Sequence, residues 1–211
     1  MGKIKYKEEI EELFKKSPVV EYGSIERIIK NKKNVKQYAK QLIRNLILKQ
    51  KIKKLTKGRY TSYDDISLIV YCFKPAYLGL QDALSFHNLW EQETIPIILT
   101  SRKVVPGIRK VMNGNVLVRR LQRKYFFGFE YFQQGNLYFP YSDLEKTFID
   151  MVYFKEKINE ETFKNIIERI NIKKLNFYLK KYPVRIKKII LNYINNSKTG
   201  KKADNKRAYG R

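Results

Sequence analysis

Residues suited to acid–base catalysis are few in this sequence. Asp143, Glu145 and Asp150 lie close together in the chain, and His87 is the single histidine. A mechanism that pairs a nucleophile with histidine would depend wholly on His87, which falls near the end of a helical pattern where a structural role is expected. Asp150 lies in an otherwise apolar helical pattern, so a structural role is expected there too. We therefore predict no enzymatic activity.

Motifs for metal or phosphate chemistry are also missing from the sequence. A metal-dependent nuclease would need an acidic residue two positions before a lysine on a strand, and that pattern occurs only at Asp204-Asn205-Lys206, near the end of the chain. The single cysteine, Cys72, lies in an apolar run, so no intramolecular disulfide or thiol cluster can form. There is no glycine-rich phosphate loop and no HExxH motif. We expect neither a cofactor nor a metal ion.

A different set of side chains has the chemistry of DNA recognition. Apolar residues at three- and four-residue steps predict one buried helical stripe: Val35, Ala39, Leu42, Ile43 and Leu46. Polar and basic residues occupy the opposite face: Lys36, Gln37, Lys40, Gln41 and Arg44. Glutamine and arginine can make bidentate contacts to adenine and guanine, and lysine can contact phosphates. The face predicts a helix that lies in a major groove.

These side chains require neighbouring elements that hold the helix. Tyr22 to Tyr63 predicts a short helix capped by Ser24, a second helix capped by Asn34, and a β-hairpin with Gly58 at its turn. The hairpin carries cations suited to backbone phosphates: Lys53, Lys54, Lys57 and Arg59. This order predicts a winged helix-turn-helix. The alternative is a helical hairpin with a solvated basic face.

Composition is consistent with a polyanionic partner. The 211 residues include 45 Lys and Arg against 20 Asp and Glu, a net charge of +25, which favours binding to nucleic acid through counterion release. The alternative explanation is a genome that makes many of its proteins lysine-rich. The N-terminus has no apolar signal region, and no stretch approaches eighteen apolar residues, so we expect a soluble, cytoplasmic protein.

The rest of the chain predicts an α+β protein of two domains and a tail. We assign 1–63 to the winged helix, 64–195 to a mixed α/β domain that ends in a helical group, and 196–211 to a basic flexible tail. Ile66 to Phe73 is predicted as a buried strand and Leu78 to Leu89 as a helix. Further strands are expected at Ile95–Thr100, Val116–Arg119, Tyr125–Phe132 and Asn136–Phe139, with a hairpin turn at Gly135-Asn136.

The end of the second domain is predicted to be helical. Ser142 and Glu145 match a capping box, and further helices are expected near 159–169, 172–181 and 184–195. The aromatic run at 125–132 has three interpretations: core, a partner surface, or a platform for stacking bases.

Two stretches resemble the AbiEi family, the antitoxin and transcriptional regulator of a type IV toxin–antitoxin system related to phage abortive infection. The first, 77–100, is similar to the family pattern at Tyr77, Ala83, Leu84, His87, Leu89, Glu91, Gln92 and Pro96. The second, 137–154, is similar to its Glu-Lys-x-x-x-Asp helix at Glu145, Lys146 and Asp150. The order of domains also matches, so the resemblance extends to about residue 195.

The resemblance implies a two-part function. The winged helix would bind double-stranded DNA at an inverted-repeat operator in its own promoter, with self-association on DNA, and repress transcription. The second domain would counteract a nucleotidyltransferase-like toxin of the AbiEii type. The alternative is a stand-alone winged-helix regulator, or a protein-interaction module, without a cognate toxin.

Overall fold

The computed structural model describes residues 6–29 and 34–198. Helices and a mixed sheet confirm the α+β class. The chain divides into two compact units: Met1–Lys74 with Ile108–Val116, and Pro75–Gly107 with Leu117–Arg211. The first unit thus continues beyond Tyr63 and includes a later segment. Of the predicted basic tail, 196–198 end the last helix, and 199–211 lie outside the described residues.

The first unit combines short helices with a small antiparallel sheet. Its helices are α1 (Lys7–Lys16), α2 (Tyr22–Ile28) and α3 (Val35–Leu48). Its sheet has the order β1-β3-β2 and consists of β1 (Val20–Glu21), β2 (Lys53–Thr56) and β3 (Arg59–Thr61). Gly58, in the turn between β2 and β3, has φ +73°, a conformation that glycine adopts without strain.

The apolar stripe of α3 packs into the core of this unit. Ala39, Leu42, Ile43 and Leu46 are buried, as predicted, together with Ile10, Phe14, Val20, Ile25, Ile29 and Ile52 from the other elements. Asn34 is the N-cap residue of α3, but its side chain makes no capping hydrogen bond. The predicted cap of α2 is wrong, because that helix begins at Tyr22, before Ser24.

Ile66–Phe73 is a 3-10 helix, not the predicted strand. The Asp65 side chain caps it by accepting a hydrogen bond from the Ser67 amide at 2.8 Å. Five of its eight residues are buried: Leu68, Ile69, Val70, Cys72 and Phe73. The prediction was wrong because a short apolar run has the same composition in a buried helix as in a buried strand.

The remaining strands form a mixed sheet with the order β6-β7-β5-β4-β9-β8. They are β4 (Ala76–Leu78), β5 (Ile97–Thr100), β6 (Gly107–Val111), β7 (Gly114–Arg120), β8 (Phe129–Gln134) and β9 (Leu137–Ser142). β4 and β6 were not predicted, and β8 begins four residues later than expected. The predicted hairpin turn is confirmed, because Gln134 pairs with Leu137 across Gly135-Asn136.

The helices of the second unit surround one buried helix, α5. They are α4 (Leu80–Phe86), α5 (Leu144–Tyr153), α6 (Glu160–Arg169), α7 (Ile172–Leu179) and α8 (Val184–Lys198). Residues 144–152 are all buried. The predicted capping box is wrong: Asp143 caps α5 by accepting from the Lys146 amide at 2.8 Å, and Glu145 accepts from the Asn171 amide.

No helix in the described part of the chain has the length and apolar character that crossing a membrane requires.

Candidate nucleic-acid interface

The outer face of α3 is exposed along its length. Every side chain predicted to read the groove faces solvent: Lys36, Gln37, Lys40, Gln41 and Arg44. This follows from the helical period, since Ala39, Leu42, Ile43 and Leu46 occupy the buried side. The positions 37 and 41, like 40 and 44, are one turn apart, so the two pairs form parallel rows.

The hairpin and α3 contribute cations to one groove. The groove has a volume of about 280 Å³, and its polar and charged lining includes Lys40, Arg44 and Lys54. Tyr22, Tyr60 and three apolar residues of α3, namely Ile43, Ile47 and Leu48, complete its walls. The structure therefore brings Lys54 of β2 to the same surface as Lys40 and Arg44 of α3. Lys57, in the turn of the hairpin, is exposed.

Tyr22 connects the hairpin to α3 through two hydrogen bonds. Its backbone amide donates to the carbonyl oxygen of Gly58 at 2.8 Å, and its hydroxyl donates to the carbonyl oxygen of Lys36 at 3.1 Å. Burial raises the pKa of Tyr22 above its ordinary value, so the hydroxyl remains a donor at neutral pH. One residue thus links the hairpin turn to the first turn of α3, a role that no pattern in the sequence predicted.

Two of the hairpin residues that were predicted to contact DNA phosphates already have partners within the first unit. Arg59 donates to Oε1 of Glu21 from Nε at 3.1 Å and from Nη2 at 3.0 Å, and its Nη1 donates to the carbonyl oxygen of Cys72 at 3.1 Å. Lys53 forms an ion pair with Asp64. A phosphate would have to compete with these contacts. Arg59 and Lys53 thus make contacts within the fold, and their role at the DNA backbone stays a prediction.

Five cations of the predicted set remain available for an anionic ligand. Among the described residues, no ion pair involves Lys36, Lys40, Arg44, Lys54 or Lys57. Three belong to α3 and two to the hairpin, and all five are exposed. An exposed cation loses little hydration free energy until it meets a phosphate, and it then releases condensed counterions from the nucleic acid.

The acidic residues considered for catalysis are buried in the second unit. Asp150 and Lys146 are fully buried and form an ion pair, and the Tyr77 hydroxyl donates to Oδ2 of Asp150 at 2.7 Å. Lys146 Nζ also lies 2.8 Å from the Tyr77 oxygen. Burial raises the pKa of Asp150 and lowers that of Lys146. This enclosed triad joins residues of the stretches 77–100 and 137–154, and its three side chains are fully buried.

A second polar cluster lies beside the triad. Lys174 Nζ is 3.2 Å from Asp143 and 3.3 Å from Glu145, and the Tyr178 hydroxyl donates to Asp143 at 2.7 Å. Burial lowers the pKa of Lys174, but the two carboxylates raise it by more, and the net shift is upward. These contacts attach α7 to the start of α5. They give Asp143 and Glu145 positioning roles within the fold.

His87 and aromatic side chains of the run 125–132 also make contacts within the fold. His87 Nε2 lies 2.8 Å from the carbonyl oxygen of Ser142. Tyr125 is buried and stacks on Tyr182 with ring centroids 4.3 Å apart. In the run 125–132, Tyr131 is the exposed aromatic side chain, and the phenylalanines are half-buried. No group of three or more metal-ligating side chains occurs within residues 6–29 and 34–198.

Comparison with known proteins identifies a similar fold. No protein-family model matches this sequence, and no curated protein is significantly similar to it. Among solved structures, the RV2827C protein from Mycobacterium tuberculosis has a similar crystal structure. The TM-score is 0.59, and the alignment covers 96% of this chain and 80% of that one. Sequence identity is 9%, so the similarity concerns the fold alone.

Proposed function

We propose that this protein is a DNA-binding transcriptional regulator and that its first unit is a winged helix-turn-helix. α2 and α3 would be the helix pair, and β2 with β3 would be the wing. The observation that supports this proposal most strongly is the convergence of exposed cations from both elements. Lys40 and Arg44 of α3 line one groove with Lys54 of the hairpin.

The proposed contacts follow from side-chain chemistry. α3 would lie in the major groove, where Gln37, Gln41 and Arg44 can form bidentate hydrogen bonds to base edges. Lys36 and Lys40 would contact phosphates along the groove walls. Lys54 and Lys57 would contact the backbone beside the groove and fix the position of the helix. Sequence choice would therefore depend on three side chains, and most of the affinity would come from the cations.

Operator binding is tested by measuring whether the protein retains duplex DNA with the sequence upstream of its own gene. We expect Lys40→Ala with Arg44→Ala to abolish retention while the circular dichroism spectrum stays that of the parent. Lys180→Ala with Arg185→Ala is the matched control, because it removes the same charge from exposed positions of the second unit. If the α3 variant retains this DNA as strongly as the parent does, the assignment of the exposed face of α3 as the surface that reads the operator is wrong.

We further propose that the regulator represses its own operon and acts as an antitoxin of the AbiEi type. This part rests on the sequence resemblance at 77–100 and 137–154. The contact of Tyr77 with Lys146 and Asp150 supports it, since matched residues from both stretches meet. The partner would be a nucleotidyltransferase-like toxin encoded beside this chain, and two copies would occupy the inverted half-sites.

Co-expression separates the two activities. The Lys40→Ala, Arg44→Ala chain is produced with the neighbouring gene product under a promoter that does not depend on repression. We expect the variant to protect cells as the parent does, while it no longer represses a reporter driven by its own promoter. Failure of the parent chain to protect would remove the antitoxin proposal and leave the DNA-binding proposal standing.

A further inference from the structure

We propose that the free edge of β8 is a dimer interface, at which β8 pairs with the same strand of a second copy. This inference goes beyond the proposed function, which requires two copies on DNA but names no contact between them. It depends on the second unit alone and would hold even without DNA binding.

β8 is the last strand of its sheet. It pairs with β9 on one side, in continuous register from Phe129 opposite Ser142 to Gln134 opposite Leu137. No other described strand pairs with its outer side. The backbone groups along that edge are therefore a template for another strand.

This edge lacks the features that usually prevent pairing. Exposed edges are commonly protected by lysine, proline or a β-bulge. The sequence of β8, FEYFQQ, contains neither lysine nor proline, and its register with β9 has no bulge. Phenylalanine and tyrosine, which make up half of the strand, favour extended structure.

Charge distribution indicates why two copies would meet here. The chain has 45 Lys and Arg among 211 residues and a net charge of +25, so most approaches of one copy to another bring cations together. Residues 125–145 contain no lysine or arginine. Their acidic residues are Glu130, Asp143 and Glu145, and the last two are paired with Lys174. The β8–β9 hairpin is thus a surface where two copies can approach without strong repulsion.

The strand is also compatible with two-fold pairing. An antiparallel register centred on Phe132 places Glu130 opposite Gln134 and Tyr131 opposite Gln133, so no like charges face each other. Tyr131 is 55% exposed and Tyr138 is 54% exposed, which supplies apolar area beside the edge. Glu130 alone supplies too little negative charge to select a basic surface, whereas the hairpin of a second copy carries no lysine or arginine between residues 125 and 145 and matches this edge.

The mass of the full-length protein in solution tests the proposal. Light scattering coupled to gel filtration at micromolar concentration should give about twice the 25.3-kDa chain mass. Tyr131→Lys with Gln133→Lys places four cations across the symmetric edge, and we expect the dissociation constant to rise at least tenfold. Gln92→Lys with Asn176→Lys adds the same charge at exposed positions elsewhere in the second unit and should leave the dimer intact.

Hydrogen exchange of the unmodified chain gives a test that needs no variant to fold. Amides of β8 should exchange more slowly as protein concentration rises, while those of α3 should not. Three results would each overturn the proposal. The unmodified chain could be monomeric at every concentration, or the Tyr131→Lys, Gln133→Lys variant could dimerise as strongly as the unmodified chain. The third is a Gln92→Lys, Asn176→Lys control whose dimer dissociates as much as that of the edge variant. Binding of the edge variant to DNA with a single half-site is measured separately. This measurement distinguishes failure of the dimer proposal from failure of the DNA-binding proposal.

Discussion

The salt dependence of DNA binding is the sharpest test of the four cations assigned to phosphates. Each phosphate neutralised on duplex DNA contributes a slope of about −0.9 to the plot of log binding constant against log salt concentration. If Lys36, Lys40, Lys54 and Lys57 each contact one phosphate while Arg44 contacts base edges, the slope of the parent is about −3.6. Between 50 and 200 mM salt, the affinity of the parent should then fall by about 150-fold.

Removing one of these phosphate contacts should change the slope by a predictable amount. Lys40→Ala with Arg44→Ala leaves three phosphate contacts, so we expect a slope of about −2.7 and a loss of about 40-fold over the same range. Fluorescence anisotropy of a labelled duplex from the upstream region, titrated at four or more salt concentrations, measures both slopes. At high protein concentration and low salt, the residual binding of the variant remains measurable.

Two outcomes would refute this reasoning. An α3 variant with the slope of the parent would mean that Lys40 does not contact a phosphate. An equal decrease in slope for Lys180→Ala with Arg185→Ala would mean that binding reflects total charge rather than the interface of the first unit. Arg59→Ala should leave the slope unchanged, because Arg59 is paired with Glu21.

Three further predictions concern stability and are checked by chemical or thermal unfolding. Lys146→Met leaves Asp150 buried without its cation, which should lower the free energy of unfolding by about 3–5 kcal/mol at pH 8, whereas Lys146→Met with Asp150→Leu should cost much less. Burial raises the folded-state pKa of Asp150, so in the single variant stability should fall as pH rises above the unfolded value of about 4, and the deficit should be smaller at pH 5 than at pH 8. Gly128→Ala should cost about 1–3 kcal/mol, because Gly128 has φ +70° and an added Cβ would lie 2.9 Å from Cβ of Lys146. Arg59→Ala should cost about 1–2 kcal/mol by removing a hydrogen bond to a backbone carbonyl and an exposed ion pair.

Each stability prediction has an outcome that contradicts it. A double variant at positions 146 and 150 that is as unstable as Lys146→Met would mean that the loss comes from packing and not from an uncompensated charge. A deficit that does not change with pH would mean that Asp150 is not the group left unpaired. Parental stability of the Gly128 or Arg59 variant would contradict the strain and the contacts assigned to these residues.

The sequence by itself determined the elements with a clear period. The apolar stripe of α3 repeats over three turns, so its buried and exposed faces could be assigned without coordinates. The hairpin turns at Gly58 and at Gly135-Asn136 were predictable because each requires a residue that tolerates a positive φ. Ile66–Phe73 was not, because an eight-residue segment with seven apolar residues carries no period that separates a 3-10 helix from a strand.

Tertiary structure decided which charges are available and which are used within the fold. Lys53 and Arg59 are as basic as Lys54 and Lys57, yet Asp64 and Glu21 lie beside the first pair. Lys146 and Asp150 are one turn apart, a spacing that also fits an exposed ion pair, and they are buried because α5 is enclosed on all sides. Long-range packing sets the neighbours of a charged side chain, and the local pattern that predicts a helix carries no information about them. The sequence therefore determined the face of α3, and the fold determined which cations join it.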